Sequence, residues 1–145
     1  MAPGGTIFMP PPSATGNQVV VACLDGQRLK GYVHNFLPTR DSFRLFPAEN
    51  SPHDAGRDVR LSSLKAIFFV KDLAGHGDHR DAYDVKKLGH GRKIEVTFSD
   101  GETIIGATEA YNPQKAGFFL FPADPESNNI RVFILNRDTV KVAFL

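Results

Sequence analysis

Apolar and polar positions alternate along this chain in short runs of four to seven residues. Val19, Val21 and Cys23 share one parity, and Ile94, Val96 and Phe98 repeat the pattern. A period of two predicts β-strands. An Asp-Gly pair follows each run, then Leu29-x-Gly31-x-Val33 in one place and Ile104-x-Gly106-x-Thr108 in the other. A third strand is predicted over Phe43 to Phe46 and again over Phe118 to Phe121, closed by Pro47 and Pro122. A fourth falls at Val59 to Leu61 and at Ile130 to Leu135, and a fifth at Leu64 to Val70 and at Val140 to Leu145.

The two sets of strands are copies. Residues 18–48 laid over 93–123 agree at ten of 31 positions, where chance would give about two. The identities include Asp25/Asp100, Gly26/Gly101, Gly31/Gly106, Pro38/Pro113 and the Phe-x-Leu-Phe-Pro-Ala block. Beyond that block the match is weaker. Val59 and Leu61 resemble Val132 and Ile134, and Leu64 to Phe69 resembles Val140 to Leu145, which implies a few residues inserted in the second copy.

Parity selects the hairpin. A two-residue Asp25-Gly26 loop would set Val21 opposite Lys30 and bring a charge to the apolar face. A three-residue loop, Leu24-Asp25-Gly26, sets Val21 opposite Leu29 and Val19 opposite Gly31, and its copy sets Val96 opposite Ile104. Only the second register keeps apolar residues together. It also puts Gly26 and Gly101 at the third loop position, where a left-handed residue forms the usual bulge. Gly31 and Gly106 then lie inside strands, the mark of a bend or a close backbone approach.

Five short strands per copy and no long helix predict an all-β fold of two tandem, small, five-stranded barrels of the Sm-like or SH3-like kind. The expected organisation is a flexible Pro/Gly-rich tail over 1–17, a first barrel over 18–73, a linker over 74–91 and a second barrel over 92–145. Within the linker, Asp81 to Leu88 could form two helical turns.

Charge narrows the choice of function. The net charge is +1; residues 18–73 hold eight basic and six acidic side chains, and residues 92–145 hold six and seven. Neither copy has the basic excess of a typical phosphate-backbone binder, although folding can gather scattered charges into a patch. A single cysteine, Cys23, rules out an internal disulfide or a Cys-rich zinc site; its place in an apolar strand reads as core. No apolar stretch approaches the roughly 20 residues of a membrane span, and no signal peptide is evident. A cytoplasmic protein with no membrane association is expected.

No nucleophile elbow, P-loop or dinucleotide fingerprint occurs, and the carboxylates at Asp25, Asp100, Glu102 and Asp124 fall at turns, where turn chemistry accounts for them. The reading is not an enzyme, with no catalytic residues and no cofactor. His76, Asp78, His79 and Asp81, with His90 nearby, have metal-ligand chemistry but sit in a Gly-rich stretch with no framework, so no metal site is expected. Arg40-x-x-x-Arg44 matches the arginine half of the cyclic-di-GMP-binding PilZ pattern, whose second half has no match here. The loops before the third strands each place an aromatic two residues before a proline and a base two residues after it: Phe36-x-Pro38-x-Arg40 and Tyr111-x-Pro113-x-Lys115. An aromatic beside a cation can stack a base or grip a peptide. The competing reading is a proline-anchored turn whose aromatic caps the barrel. The binding candidates are therefore Phe36, Arg40, Arg44, Tyr111 and Lys115.

The run of apolar strand, Asp-Gly, apolar-x-Gly, proline loop and Phe-x-Leu-Phe-Pro, then Leu64-Lys65-Ala66-Ile67-Phe68-Phe69-Val70-Lys71-Asp72, resembles an uncharacterised family of bacterial proteins, some with two such copies. The resemblance spans residues 18–145 and implies no activity. A looser likeness is to Sm-like proteins, which hold RNA through an Asp-x-x-x-Asn loop and an Arg-Gly-Asp/Asn turn. This chain has Leu61-Ser62-Ser63-Leu64 and Asn136-Arg137-Asp138 at those places, which counts against RNA binding. The expected function is a non-enzymatic binding or scaffold module with a protein partner; the alternative is an Sm-like binder of nucleic acid or a cyclic dinucleotide. Exposed barrel edges would also permit homo-oligomers by strand pairing.

Overall fold

The computed structural model describes residues 18–34, 36–73, 91–124 and 126–145. The tail, the predicted linker helix and the histidine-rich stretch of the linker lie outside the described residues. Among the described residues there are ten strands: β1 (Gln18–Cys23), β2 (Arg28–Tyr32), β3 (Ser42–Leu45), β4 (Arg57–Arg60), β5 (Leu64–Val70), β6 (Arg92–Thr97), β7 (Thr103–Thr108), β8 (Gly117–Pro122), β9 (Asn129–Leu135) and β10 (Lys141–Phe144). Short 3-10 turns cover His53–Ala55 and Leu61–Ser63. Among the described residues no helix is long and apolar enough to cross a membrane.

The hairpin registers are those that parity predicts. Val21 stands opposite Leu29 and Val19 opposite Gly31; Val96 stands opposite Ile104 and Ile94 opposite Gly106. Gly26 and Gly101 both have φ of +92°, the left-handed region where a side chain is costly. Gly106 serves another purpose: a Cβ there would run into the Phe121 carbonyl oxygen of the neighbouring strand β8.

Each ladder of the first half recurs 75 residues later. Phe43 faces Val59 as Phe118 faces Ile134, and Val21 faces Ile67 as Val96 faces Val142. Even the single bridge Tyr32–Phe46 has its counterpart in Ala107–Phe121. The insertion expected from the sequence is therefore absent. Val59 takes the place of Ile134 rather than Val132, and Leu64 that of Thr139 rather than Val140. Matching similar letters had slipped the fifth strand by one residue, which would turn every side chain to the other face; the partner strands hold it in step.

Pairing runs on from one half into the other. The eight-stranded antiparallel sheet has the order β10-β6-β7-β8-β9-β5-β1-β2, and β3 and β4 form a separate two-stranded sheet. β9 of the second half pairs with β5 of the first, Phe133 opposite Ile67 and Ile134 opposite Ala66. The fold is all-β, as expected. The closed barrels are not seen: among the described residues no ladder joins β4 to β5 or β9 to β10. The two apolar clusters are shared as well. Phe133 and Leu135 complete the first, around Val19, Val21, Ile67 and Phe69. Ala22, Ala66, Phe68 and Val70 complete the second, around Ile94, Val96, Phe118 and Leu120. From Ala66 to Val70, alternation along β5 sends the odd residues into the first core and the even residues into the second; Leu64, beyond the irregularity at Ala22/Cys23, joins the first.

Polar side chains lock this seam. The Lys65 ammonium donates to Asp100 (2.7 Å) and to Glu102 and lies 4.6 Å from the Phe98 ring centre. The lysine holds the Asp100 carboxyl below the usual carboxylate range, helped by the Glu102 backbone N–H. The Arg137 guanidinium donates to the carbonyl oxygens of Leu64 (2.7 Å) and Ser62 (2.8 Å), fastening the second half to the turn before β5.

Candidate binding groove at the seam

The loops before β3 and β8 are the same turn at the same offset. Arg40 N–H donates to the Leu37 carbonyl at 3.0 Å, and Lys115 N–H to the Asn112 carbonyl at 3.1 Å. In the second loop the Asn112 side chain also accepts from Gln114 N–H at 2.9 Å, a side-chain turn that asparagine favours. The Asn136 amide donates to the carbonyls of Asn112 and Lys115, pinning that loop to the end of β9.

The two loop aromatics point inward. The half-buried Phe36 ring centre lies 5.2 Å from Phe133, 5.5 Å from Phe43 and 5.7 Å from Phe69. Edge-to-face pairs of this kind add about 0.5–1.5 kcal/mol each beyond area burial. Tyr111 meets Phe118 at 4.9 Å and Phe144 at 5.8 Å. Both rings thus contact the cores, as the capping reading has it. Arg131 closes the open side of the first cluster, 4.5 Å from the ring centres of both Phe69 and Phe119; burial lowers its pKa from the ordinary arginine value. Arg44 is engaged too, donating to the Gly56 carbonyl at 2.8 Å and to Asp58 at 3.2 Å. Arg40 and Arg44 both border a cleft of about 430 Å³, but the Arg44 fork is already occupied within the β3–β4 ladder.

Arg40 and Lys115, 75 residues apart in sequence, line one cavity. It measures about 680 Å³ and is walled by residues of both halves, among them Arg60 on β4 and Asn136 and Arg137 after β9. Four lining side chains are cationic and one, Asp41, is a carboxylate. Among the described residues, the side chains of Arg40, Arg60 and Lys115 have no ion-pair partner. Pro38, Thr39, Lys115 and Ala116 also line a second cavity of about 340 Å³, whose other walls include Phe118, Phe119, Phe121, Phe133 and Glu109. Shared walls make the two cavities ends of one groove, basic at one end and apolar at the other. At the apolar end Phe121 is 43% exposed.

Of the five candidates, then, Arg40 and Lys115 come together at the groove, Phe36 and Tyr111 pack beneath the loops, and Arg44 is tied into β3–β4. Arg60, Arg137, Asn136 and Phe121 were missed. Arg60 looks like an ordinary exposed strand residue, and nothing in the Asn136-Arg137-Asp138 turn tells that its arginine reaches the opposite half. The repeat itself was the usable signal for the groove, since Arg40 and Lys115 are equivalent positions. Cys23 is half-buried against the first cluster; burial, then Asp25, push its thiol pKa up, with Arg57 opposing. Among the described residues no three His, Cys, Asp or Glu side chains cluster in a way that could hold a metal ion.

The sequence matches the family of unknown function DUF6982 over residues 15–145, and the chain belongs to that family. No curated protein and no solved structure matches it.

Proposed function

We propose that this member of the DUF6982 family is a non-enzymatic binding module that holds a protein partner in the groove along the seam. The observation that carries the reading is the apolar end of the groove, where Phe121 stands exposed beside Pro38 of the other half. Apolar cavities edged by a few polar groups are the usual form of a recognition site, and exposed aromatics favour the centres of protein interfaces. We further read each half as a tandem copy of a small Sm-like or SH3-like unit; the orders β5-β1-β2 and β10-β6-β7, with their common 75-residue offset, support that reading. A cytoplasmic location belongs to the same proposal.

Ala116 is exposed and lines both ends of the groove, so Ala116→Glu should block it without unfolding the protein. Affinity capture from an extract of the native cells, with nuclease, compares the two forms. A protein held by the wild type and lost from Ala116→Glu at unchanged urea midpoint is the expected result. Equal retention by both forms overturns the reading. The cations favour a second reading, a nucleic-acid or cyclic-dinucleotide binder; capture that disappears with nuclease and weakens steeply with salt would select it.

A further inference from the structure

We infer that the segment bound in the groove is acidic: an apolar side chain enters the phenylalanine-lined end while a carboxylate close by in sequence meets Arg40, Arg60 and Lys115. The inference rests on the protein-docking reading above and specifies its ligand. Charge complementarity is the first argument. A chain with a net charge of only +1 gathers four cations against one carboxylate in a single cavity. Arg137 is committed to backbone carbonyls, which leaves Arg40, Arg60 and Lys115 with no ion pair among the described residues and Asp41 as the one carboxylate of the cavity. Gathering like charges is unfavourable until an anion enters between them, and arginine forks suit carboxylates.

The second argument is polarity along the groove. At the apolar end Glu109 is offset by Lys115, whereas the other end holds four cations against one carboxylate, so an anion is drawn to the basic end alone. A peptide with an apolar residue followed within a few positions by Asp or Glu matches this order; each extended residue spans about 3.3 Å. A nucleotide fits the apolar end less well. Besides Glu109, the polar side chains there are Thr39 and Lys115, too few to read a base edge by paired hydrogen bonds.

The test titrates the full ¹⁵N-labelled chain with synthetic peptides. The first probe is Gly-Phe-Asp-Glu-Gly with blocked ends. The second replaces Asp and Glu by Asn and Gln, and the third replaces Phe by Ala. Inorganic phosphate is the fourth probe. The expected result is saturable shifts of the Lys115, Ala116 and Phe121 amides with the first peptide, and affinity about tenfold lower for the amide version, as two or three exposed ion pairs would give. The triple variant Arg40→Gln, Arg60→Gln, Lys115→Gln should bind both peptides alike. Equal affinity of the two peptides for the wild type overturns the acidic preference, as does phosphate binding with the same shifts while the peptides leave Phe121 unmoved. If no peptide binds while the capture sensitive to Ala116→Glu persists, the acidic inference falls and the docking reading stands.

Discussion

β1 and β5 have counterparts in β6 and β10, paired in the same register, yet their outer faces differ in kind. On the first pair the outward residues are Val20, Ala22, Ala66, Phe68 and Val70, and apart from half-buried Val20 all are buried. Seventy-five residues on, the same places hold Glu95, Thr97, Lys141, Ala143 and Leu145, half-buried or exposed. The inner faces hardly change: Val19, Val21 and Ile67 become Ile94, Val96 and Val142. The first pair lies against the second half, and its outer face is a core. Nothing among the described residues pairs with the outer edge of β10. A charged, short strand is how proteins blunt a free sheet edge, and polar outer faces are how stacked repeats end. One backbone plan therefore serves twice, as the middle of a sheet and as its margin, and only the outer parity distinguishes the two uses.

Exchanging residues across the repeat is the sharpest test of this contrast. Ala66→Lys should place an unpaired charge in the second core and destabilise by several kcal/mol, whereas Lys141→Ala should change stability by no more than about 0.5 kcal/mol. Urea denaturation of the two variants measures both; equal midpoints would show that the faces are not different after all.

Phe133 is next in size. It is 1% exposed, sits on a strand of the second half and completes the core of the first. Phe133→Ala should cost about 3–5 kcal/mol, with fluorescence and circular dichroism still tracing one common transition. Two separated transitions, one per half, would mean that the cores are independent.

Removing the guanidinium in Arg137→Ala should cost about 1.5–3 kcal/mol, the range for hydrogen bonds to a charged group. The equivalent position, Ser62, makes no such fastening, so Ser62→Ala should be nearly silent. Hydrogen exchange would show faster opening at the β5–β9 ladder in the arginine variant alone.

The smallest effect concerns pH. The Asp100 carboxyl is held below its unfolded value by Lys65, so the ionised form stabilises the fold above the unfolded pKa. That contribution declines as pH falls through the depressed folded value. Asp25, the counterpart, has no lysine partner among the described residues. Asp100→Asn should therefore flatten the acid limb of stability more than Asp25→Asn does, measured by melting temperature between neutral pH and the acid range.

Much of the backbone was legible in the chain. Asp-Gly spacing and the parity of Val19, Val21 and Leu29 lead to the three-residue loops, because a wrong register would bury Lys30. Pro38 and Pro113 locate two equivalent turns. The fifth strands were found but set one residue out of step, since Leu-Lys-Ala resembles Val-Lys-Val more than their structural places allow. The candidate groove was half legible. Arg40 and Lys115 follow from the proline loops, while Arg60 and Phe121 enter it only because β4 and β8 pass nearby.

The sequence by itself determined the strands, their hairpin registers, the left-handed glycines and the agreement of residues 18–48 with residues 93–123. These are local matters, settled by side-chain parity and turn stereochemistry over a few residues. Tertiary structure alone decided that β9 pairs with β5, that each core borrows from the other half, and that Arg40, Arg60, Lys115 and Arg137 meet. Those choices join distant segments, and their free energy comes from burying both faces of β5 at once. The apolar parity of Ala66, Phe68 and Val70 permits that burial, but says nothing of which strand completes it.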